Sequence, residues 1–189
     1  MKKTVYDKHY EEKEYFGSPY PKLVNFFKAY DKESRVLDLG CGQGRDALFL
    51  GRLGYKVKGV DISKVGIRQM NQKAKEENLD VIGEISDIYE YPINDTYDIV
   101  LLDSMVHFYK NDKAKESNLI KRIATELKVG GIFFNCMLKG MKREKHLKNI
   151  LNELPVQWEV IRDTYTDYPE ANSEFHILIL KKTKAKKGG

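Results

Sequence analysis

Asp38 and Asp61 bracket the stretch in which residue type and spacing carry the most chemistry. Asp38 opens Asp38-Leu39-Gly40-Cys41-Gly42-Gln43-Gly44, and Asp61 closes Gly59-Val60-Asp61. Three alternating glycines permit positive φ and let a ligand approach the backbone closely. An acid on either side gives a polar ligand two carboxylates to meet. Such residues need firm supports on both flanks. Val36, Leu37 and Leu39 form a short apolar run, read as a buried parallel strand. After the glycines, Ala47, Leu48, Leu50 and Leu53 predict a helix from about Arg45 that stops near Gly54. Lys56 to Val60 is a second strand, with Asp61 at its end. Strand, glycine loop, helix, strand and terminal acid together read as a nucleoside-binding unit.

The spacing excludes a dinucleotide fingerprint. G-x-G-x-x-G requires a last glycine where this chain has Arg45. The pattern Asp-x-G-x-G-x-G resembles instead motif I of the class I S-adenosylmethionine (SAM) methyltransferases. The resemblance runs from about Arg35 to Leu180. It implies SAM as cofactor and S-adenosylhomocysteine as product. Asp38 is then expected near the cofactor ammonium, and Gly40, Cys41, Gly42 and Gly44 near its aminoacid end. Asp61 is expected on the ribose hydroxyls, with Ile62 beside it, and Asp87 on the adenine amino group, with Ile88 against the base. Within the superfamily the compact form looks most like the small tellurite-resistance-type methyltransferases, although no His-Arg pair of the kind they carry stands in the final third.

The rest of the chain reads as alternating helices and strands. Leu23, Phe26, Phe27 and Tyr30 make a helical stripe after Ser18-Pro19. Ser63 caps a helix to about Asn78, with Ile67, Met70 and Ala74 inward. Strands are expected at Val81–Ile85, Tyr97–Leu102, Ile132–Leu138, Trp158–Ile161 and Phe175–Leu180. Further helices are expected from Asp112, as cap, to Leu127 and from Lys142 to Leu154, with a loop from Asp163 to Ser173. The expected fold is α/β: a Rossmann-like three-layer sandwich whose seven-stranded, mostly parallel sheet has one antiparallel strand. Asp103, His107 and Tyr109 follow the fourth strand, where open α/β sheets place ligands. They are the candidates for a catalytic base, Asp103 also lying within reach of the cofactor. Before the first helix, Tyr6, Tyr10 and Tyr15 stand among Lys and Glu without a clean period and are expected to form a lid arm over the cofactor or acceptor.

Composition sets the bounds. The chain has 189 residues, enough for one domain, expected over 1–180. No apolar run approaches the ~20 residues of a membrane span, and Met1-Lys2-Lys3-Thr4 lacks a signal-peptide core. Two cysteines, Cys41 and Cys136, give neither a disulfide framework nor a metal-ligand spacing, so a reducing cytoplasm is expected and no metal. The net charge of +5 comes from five lysines in 181–189; the remainder holds 28 basic and 28 acidic residues. Those lysines read as a solvated, disordered tail whose removal after Leu180 is tolerated.

A neutral body offers no phosphate-tracking stripe. Asp103-Ser104-Met105-Val106 stands where amino-directed nucleic-acid methyltransferases carry an Asn/Asp-Pro-Pro-Tyr-like motif. A small-molecule acceptor is therefore expected, with RNA methylation and a non-catalytic SAM-binding sensor as the alternatives.

Overall fold

The computed structural model describes Tyr10 and residues 17–168 and 172–185. Seven strands, β1 (Arg35–Leu39), β2 (Lys56–Asp61), β3 (Val81–Ile85), β4 (Ile99–Asp103), β5 (Ile132–Leu138), β6 (Val156–Tyr168) and β7 (Ser173–Ala185), have the order β3-β2-β1-β4-β5-β7-β6; β7 pairs antiparallel with both of its neighbours, and helices flank the sheet. This is the expected α/β class. The chain divides into two compact units, residues 1–91 and 92–189.

In the first unit, helix α1 (Pro21–Ala29) begins on a proline, whose fixed φ suits the first helical position. The helix thus starts later than Ser18-Pro19. Leu23 and Phe27 are its buried positions, whereas Phe26 and Tyr30 stay half-buried and stack on each other at 5.0 Å. Strands β1 (Arg35–Leu39), β2 (Lys56–Asp61) and β3 (Val81–Ile85) run parallel, with Asp38 opposite Gly59 and Asp61 opposite Ile85. Helix α2 (Arg45–Arg52) follows β1, and α3 (Lys64–Glu76) follows β2. Ser63 caps α3 as expected, its hydroxyl accepting from the Gly66 amide at 3.1 Å. Ile67, Met70 and Ala74 are buried beneath it.

In the second unit, β4 (Ile99–Asp103) and β5 (Ile132–Leu138) are parallel and nearly wholly buried. Helix α4 (Lys113–Glu126) precedes β5 and α5 (Met141–Glu153) follows it. Asp112 occupies the residue before α4 but does not cap it with its side chain. Its backbone is already in the right-handed helical region, and its carboxylate pairs with Lys115 at 2.8 Å instead.

The closing hairpin departs most from expectation. Strand β6 (Val156–Tyr168) and strand β7 (Ser173–Ala185) are each 13 residues long. They pair antiparallel from Val156 opposite Ala185 to Tyr168 opposite Ser173. Asp163 to Tyr168 is therefore strand and not loop. The outward positions Glu159, Arg162, Asp163 and Asp167 are charged, so the apolar alternation that marks a strand is missing there. Bulges after Gln157 and Val160 shift the register further. Lysines 181, 182 and 184 likewise belong to β7 and not to a tail. Lys182 is 4% exposed, and its amine donates to the carbonyls of Ala124, Thr125 and Leu127 at 2.8, 3.0 and 2.6 Å. Helix α4 has no basic residue in its last turn, and Lys182 supplies that charge from the neighbouring strand.

Candidate active site

The glycine loop leaves β1 and returns into α2 as a closed frame. Gly40 and Cys41 donate their amides to the Val60 carbonyl at 2.8 and 3.2 Å, and Gly44 donates to Cys41 at 2.8 Å. Gly42 donates to Asp61 Oδ2 at 3.0 Å. These four amides are thus engaged within the unit. The glycines contribute backbone conformation and clearance. Gly42 and Gly44 sit at φ +54° and +84°, and a Cβ would run into the Tyr10 hydroxyl at the first and Met70 at the second. Gly66, at the start of α3, packs so closely that a Cβ would lie 2.7 Å from the Gly42 carbonyl oxygen.

Asp61 is 8% exposed and anchored on both oxygens, Oδ2 by Gly42 and Oδ1 by the Ser63 amide at 2.7 Å. Asp38 is 3% exposed; its Oδ2 is buried with no hydrogen-bond partner among the described residues. Burial, then Asp46, pushes the Asp38 carboxyl well above the usual carboxylate range; Arg45 opposes this and Asp61 adds to it. An orphaned buried carboxylate oxygen lacks a cationic donor. The donor set therefore fits a ligand with an ammonium for Asp38 and hydroxyls for Asp61, which is the cofactor implied by the resemblance.

Arg45 stands at the start of α2 and is engaged within this unit. Its Nε and Nη2 bind Asp46 at 3.1 and 2.8 Å, and its guanidinium lies 4.6 Å from the Tyr20 ring centroid. Cys41 is buried, and burial together with Asp38 and Asp61 pushes its thiol up, so it is no nucleophile near neutral pH. Ile62 exposes 47% of its surface beside Asp61, whereas Ile88 is buried. Asp87 is exposed, and its Oδ1 accepts the Tyr89 amide at 2.9 Å. Tyr10, from the expected lid arm, is 4% exposed against the loop. Its carbonyl accepts from Gln69 Nε2 at 2.8 Å and Gln43 Nε2 at 3.4 Å. Tyr6 and Tyr15 lie outside the described residues. A cleft of about 430 Å³ opens beside the loop, lined by Gln43, Gly44, Arg45 and Gln69; neither Asp38 nor Asp61 lines it.

The second unit holds the other candidates. Asp103 ends β4, 8% exposed, and accepts from the Ser104 hydroxyl at 2.9 Å. His107 and Tyr109 stack with ring centroids 5.4 Å apart, Tyr109 being 56% exposed. Burial lowers the His107 pKa, with Glu116 pulling upward and Arg143 downward, so the ring is neutral at pH 7. Sequence reasoning missed two members of this group. Glu116 is 4% exposed and accepts the amides of both His107 and Phe108. Arg143 reaches the Tyr109 ring from α5, its guanidinium carbon 5.8 Å from the centroid. Both come from helices, and nothing in the local sequence of either marks it. His176 is buried on β7 with Nε2 at 2.7 Å from Asp163 Oδ1, in a group with Lys148.

A family model described as tellurite resistance protein TehB matches residues 3–188. The chain belongs to the TehB family. A curated relative, the probable S-adenosyl-L-methionine-dependent methyltransferase TehB of Haemophilus influenzae (strain 10810), is 30% identical over 152 residues, 75% of this chain and 50% of that protein. This TehB-family chain thus spans about half the length of the curated TehB proteins it matches. Among solved structures, the N-methyltransferase NodS of Bradyrhizobium japonicum WM9, in complex with S-adenosylhomocysteine, superposes with a TM-score of 0.75. The two are 12% identical, with 95% of this chain and 97% of that one covered. A Burkholderia thailandensis enzyme, 1,6-didemethyltoxoflavin-N1-methyltransferase with bound 1,6-didemethyltoxoflavin and S-adenosylhomocysteine, gives 0.69 at 17% identity, covering 87% and 78%. TehB-family membership and these superpositions make the fold that of the class I methyltransferases.

Proposed function

We propose that this chain binds SAM and transfers its methyl group to a small-molecule acceptor by in-line displacement, releasing S-adenosylhomocysteine. The observation that carries the reading is the pair of buried acids around the glycine loop: Asp38 with an unpartnered oxygen, Asp61 anchored by two amides. The family's curated members named as SAM-dependent methyltransferases support it. The sulfonium supplies its own leaving group, so the protein's tasks are to bind, align and exclude water.

Asp38 takes the ammonium, and the loop of Gly40, Cys41, Gly42 and Gly44 lies against the aminoacid end. Asp61 accepts the ribose hydroxyls; a carboxylate accepts up to about four hydrogen bonds, so the Gly42 and Ser63 amides need not exhaust it. Ile62 offers its exposed apolar surface to the base, Ile88 packs behind it, and Asp87 takes the adenine amine. Asp103 orders the acceptor end of the cofactor. His107, neutral at pH 7, accepts a proton where the acceptor must lose one, with Tyr109 beside it. The N-terminal arm of Tyr6, Tyr10 and Tyr15 serves as a lid, which the seat of Tyr10 against Gly42 supports. A small acceptor fits the neutral composition outside the terminal lysines, and a structural neighbour was solved with bound 1,6-didemethyltoxoflavin. Two buried cysteines not joined in a disulfide accord with a cytoplasmic enzyme.

The test is release of S-adenosylhomocysteine by the purified protein given SAM and, in turn, thiols, metalloid oxyanions, amines, carboxylic acids and RNA. Turnover with one small-molecule class is expected. Turnover with RNA alone overturns the small-molecule acceptor, and silence across all classes, with SAM bound, makes the protein a sensor.

A further inference from the structure

The loop that follows β4 is built more firmly than a plain connection requires. Ser104 and Phe108, neither of them glycine, stand at φ +58° and +53°. Left-handed backbone at such residues persists only where the surroundings enforce it, and it gathers at functional sites. At Phe108 the holding group is Glu116, a buried carboxylate that accepts two successive loop amides, His107 and Phe108. Phe108 is held edge-on against His146 at 4.7 Å, and His146 lies 3.0 Å from the Ser117 hydroxyl. This scaffold presents one large exposed ring, Tyr109, backed by His107 in a near-parallel stack of 29°.

Arg143 stands over that ring. Its Nη1 is buried without a hydrogen-bond partner, and among the described residues the guanidinium has no ion pair. His107 Nδ1 is also buried without a partner. A cationic donor shielded from water and left without an acceptor is costly. Guanidinium groups match carboxylates two bonds at a time, and they stack on flat conjugated surfaces.

Resting on the methyl-transfer reading above, we propose that Arg143 and the Tyr109–His107 stack recognise the acceptor as a flat, conjugated organic acid. The guanidinium takes the carboxylate, and the part of the Tyr109 ring left exposed takes the planar body. A compact metalloid oxyanion would satisfy the guanidinium but leave the exposed ring without use. A neutral heterocycle would use the ring and leave the guanidinium unpaired. The combination selects a ligand that has both parts.

The test is calorimetric titration of matched probes into protein saturated with S-adenosylhomocysteine: benzoate, 4-hydroxybenzoate, nicotinate and indole-3-carboxylate, each beside its primary amide, and selenite. At least one acid is expected to bind about tenfold or more tightly than its amide. Arg143→Gln should abolish that difference, Arg143→Lys should restore only part of it, and Tyr109→Ala should weaken acid and amide alike. Thermal unfolding midpoints, read for each variant, separate loss of recognition from loss of fold. Binding by selenite with no binding by any acid overturns the proposal, as does an acid-over-amide preference that survives Arg143→Gln in a folded variant. No binding by any acid while S-adenosylhomocysteine binds also overturns it and leaves the methyl-transfer reading intact. Absence of S-adenosylhomocysteine binding in the same cell removes that reading instead.

Discussion

Asp38 and Asp61 do different work, and substitution separates them. Asp38 has a raised pKa in the fold, so the folded protein holds a proton more tightly there than the unfolded chain does. The sign follows from linkage: stability is greatest below the unfolded carboxyl pKa and falls as pH rises from there through the folded pKa. As pH rises through that range, ionisation of Asp38 increasingly opposes folding until a cation meets it. Asp38→Asn keeps an oxygen for the Ala47 amide and removes the charge. The variant should melt higher than the parent without ligand at pH 7, lose that advantage at acid pH, and bind SAM more weakly; differential scanning calorimetry and titration calorimetry check the two halves. Asp61→Ala instead removes the acceptor of two backbone amides and should lower both stability and affinity, by roughly 1.5–3 kcal/mol for each charge-assisted bond lost. That both acids flank the glycine loop was legible in the sequence, from their spacing to the three glycines. Arg143 and Glu116 were not, since they reach their loop across turns of packed helix that no local pattern encodes.

Among the elements, β7 changes the account of the C-terminus. Lys182 closes the end of α4 with three hydrogen bonds, and its own backbone exchanges two more with the turn at Gly130 and Gly131. Truncation after Leu180, which the lysine-rich composition alone makes look harmless, should therefore destabilise the fold. Truncation after Ala185 should leave the melting temperature unchanged. Lys182→Met, which keeps the stem and loses the donors, should cost about 1–3 kcal/mol in urea unfolding. Composition misled here because a run of lysines reads as solvated whichever way each side chain points. The alternating helices and strands from Arg35 to Leu138 were legible, since a parallel strand buried on both faces leaves an unbroken apolar run. The β6–β7 hairpin was not, because backbone pairing extends it beyond its apolar centre.

For the molecule as a whole, the account ties the N-terminal arm to cofactor occupancy. Tyr10 is seated against Gly42, so Tyr10→Ala should weaken SAM binding and, because the ring is buried, lower the melting temperature as well. The central claim is the identity of the nucleoside held by the Asp38–Asp61 frame, and one titration tests it directly. S-adenosylhomocysteine and NAD are each titrated into the purified protein by calorimetry. The account predicts one-to-one binding of S-adenosylhomocysteine, weakened at least about tenfold by Asp61→Ala, and no measurable binding of NAD. Binding of NAD as tight as that of S-adenosylhomocysteine, or an unchanged dissociation constant in folded Asp61→Ala, would contradict it.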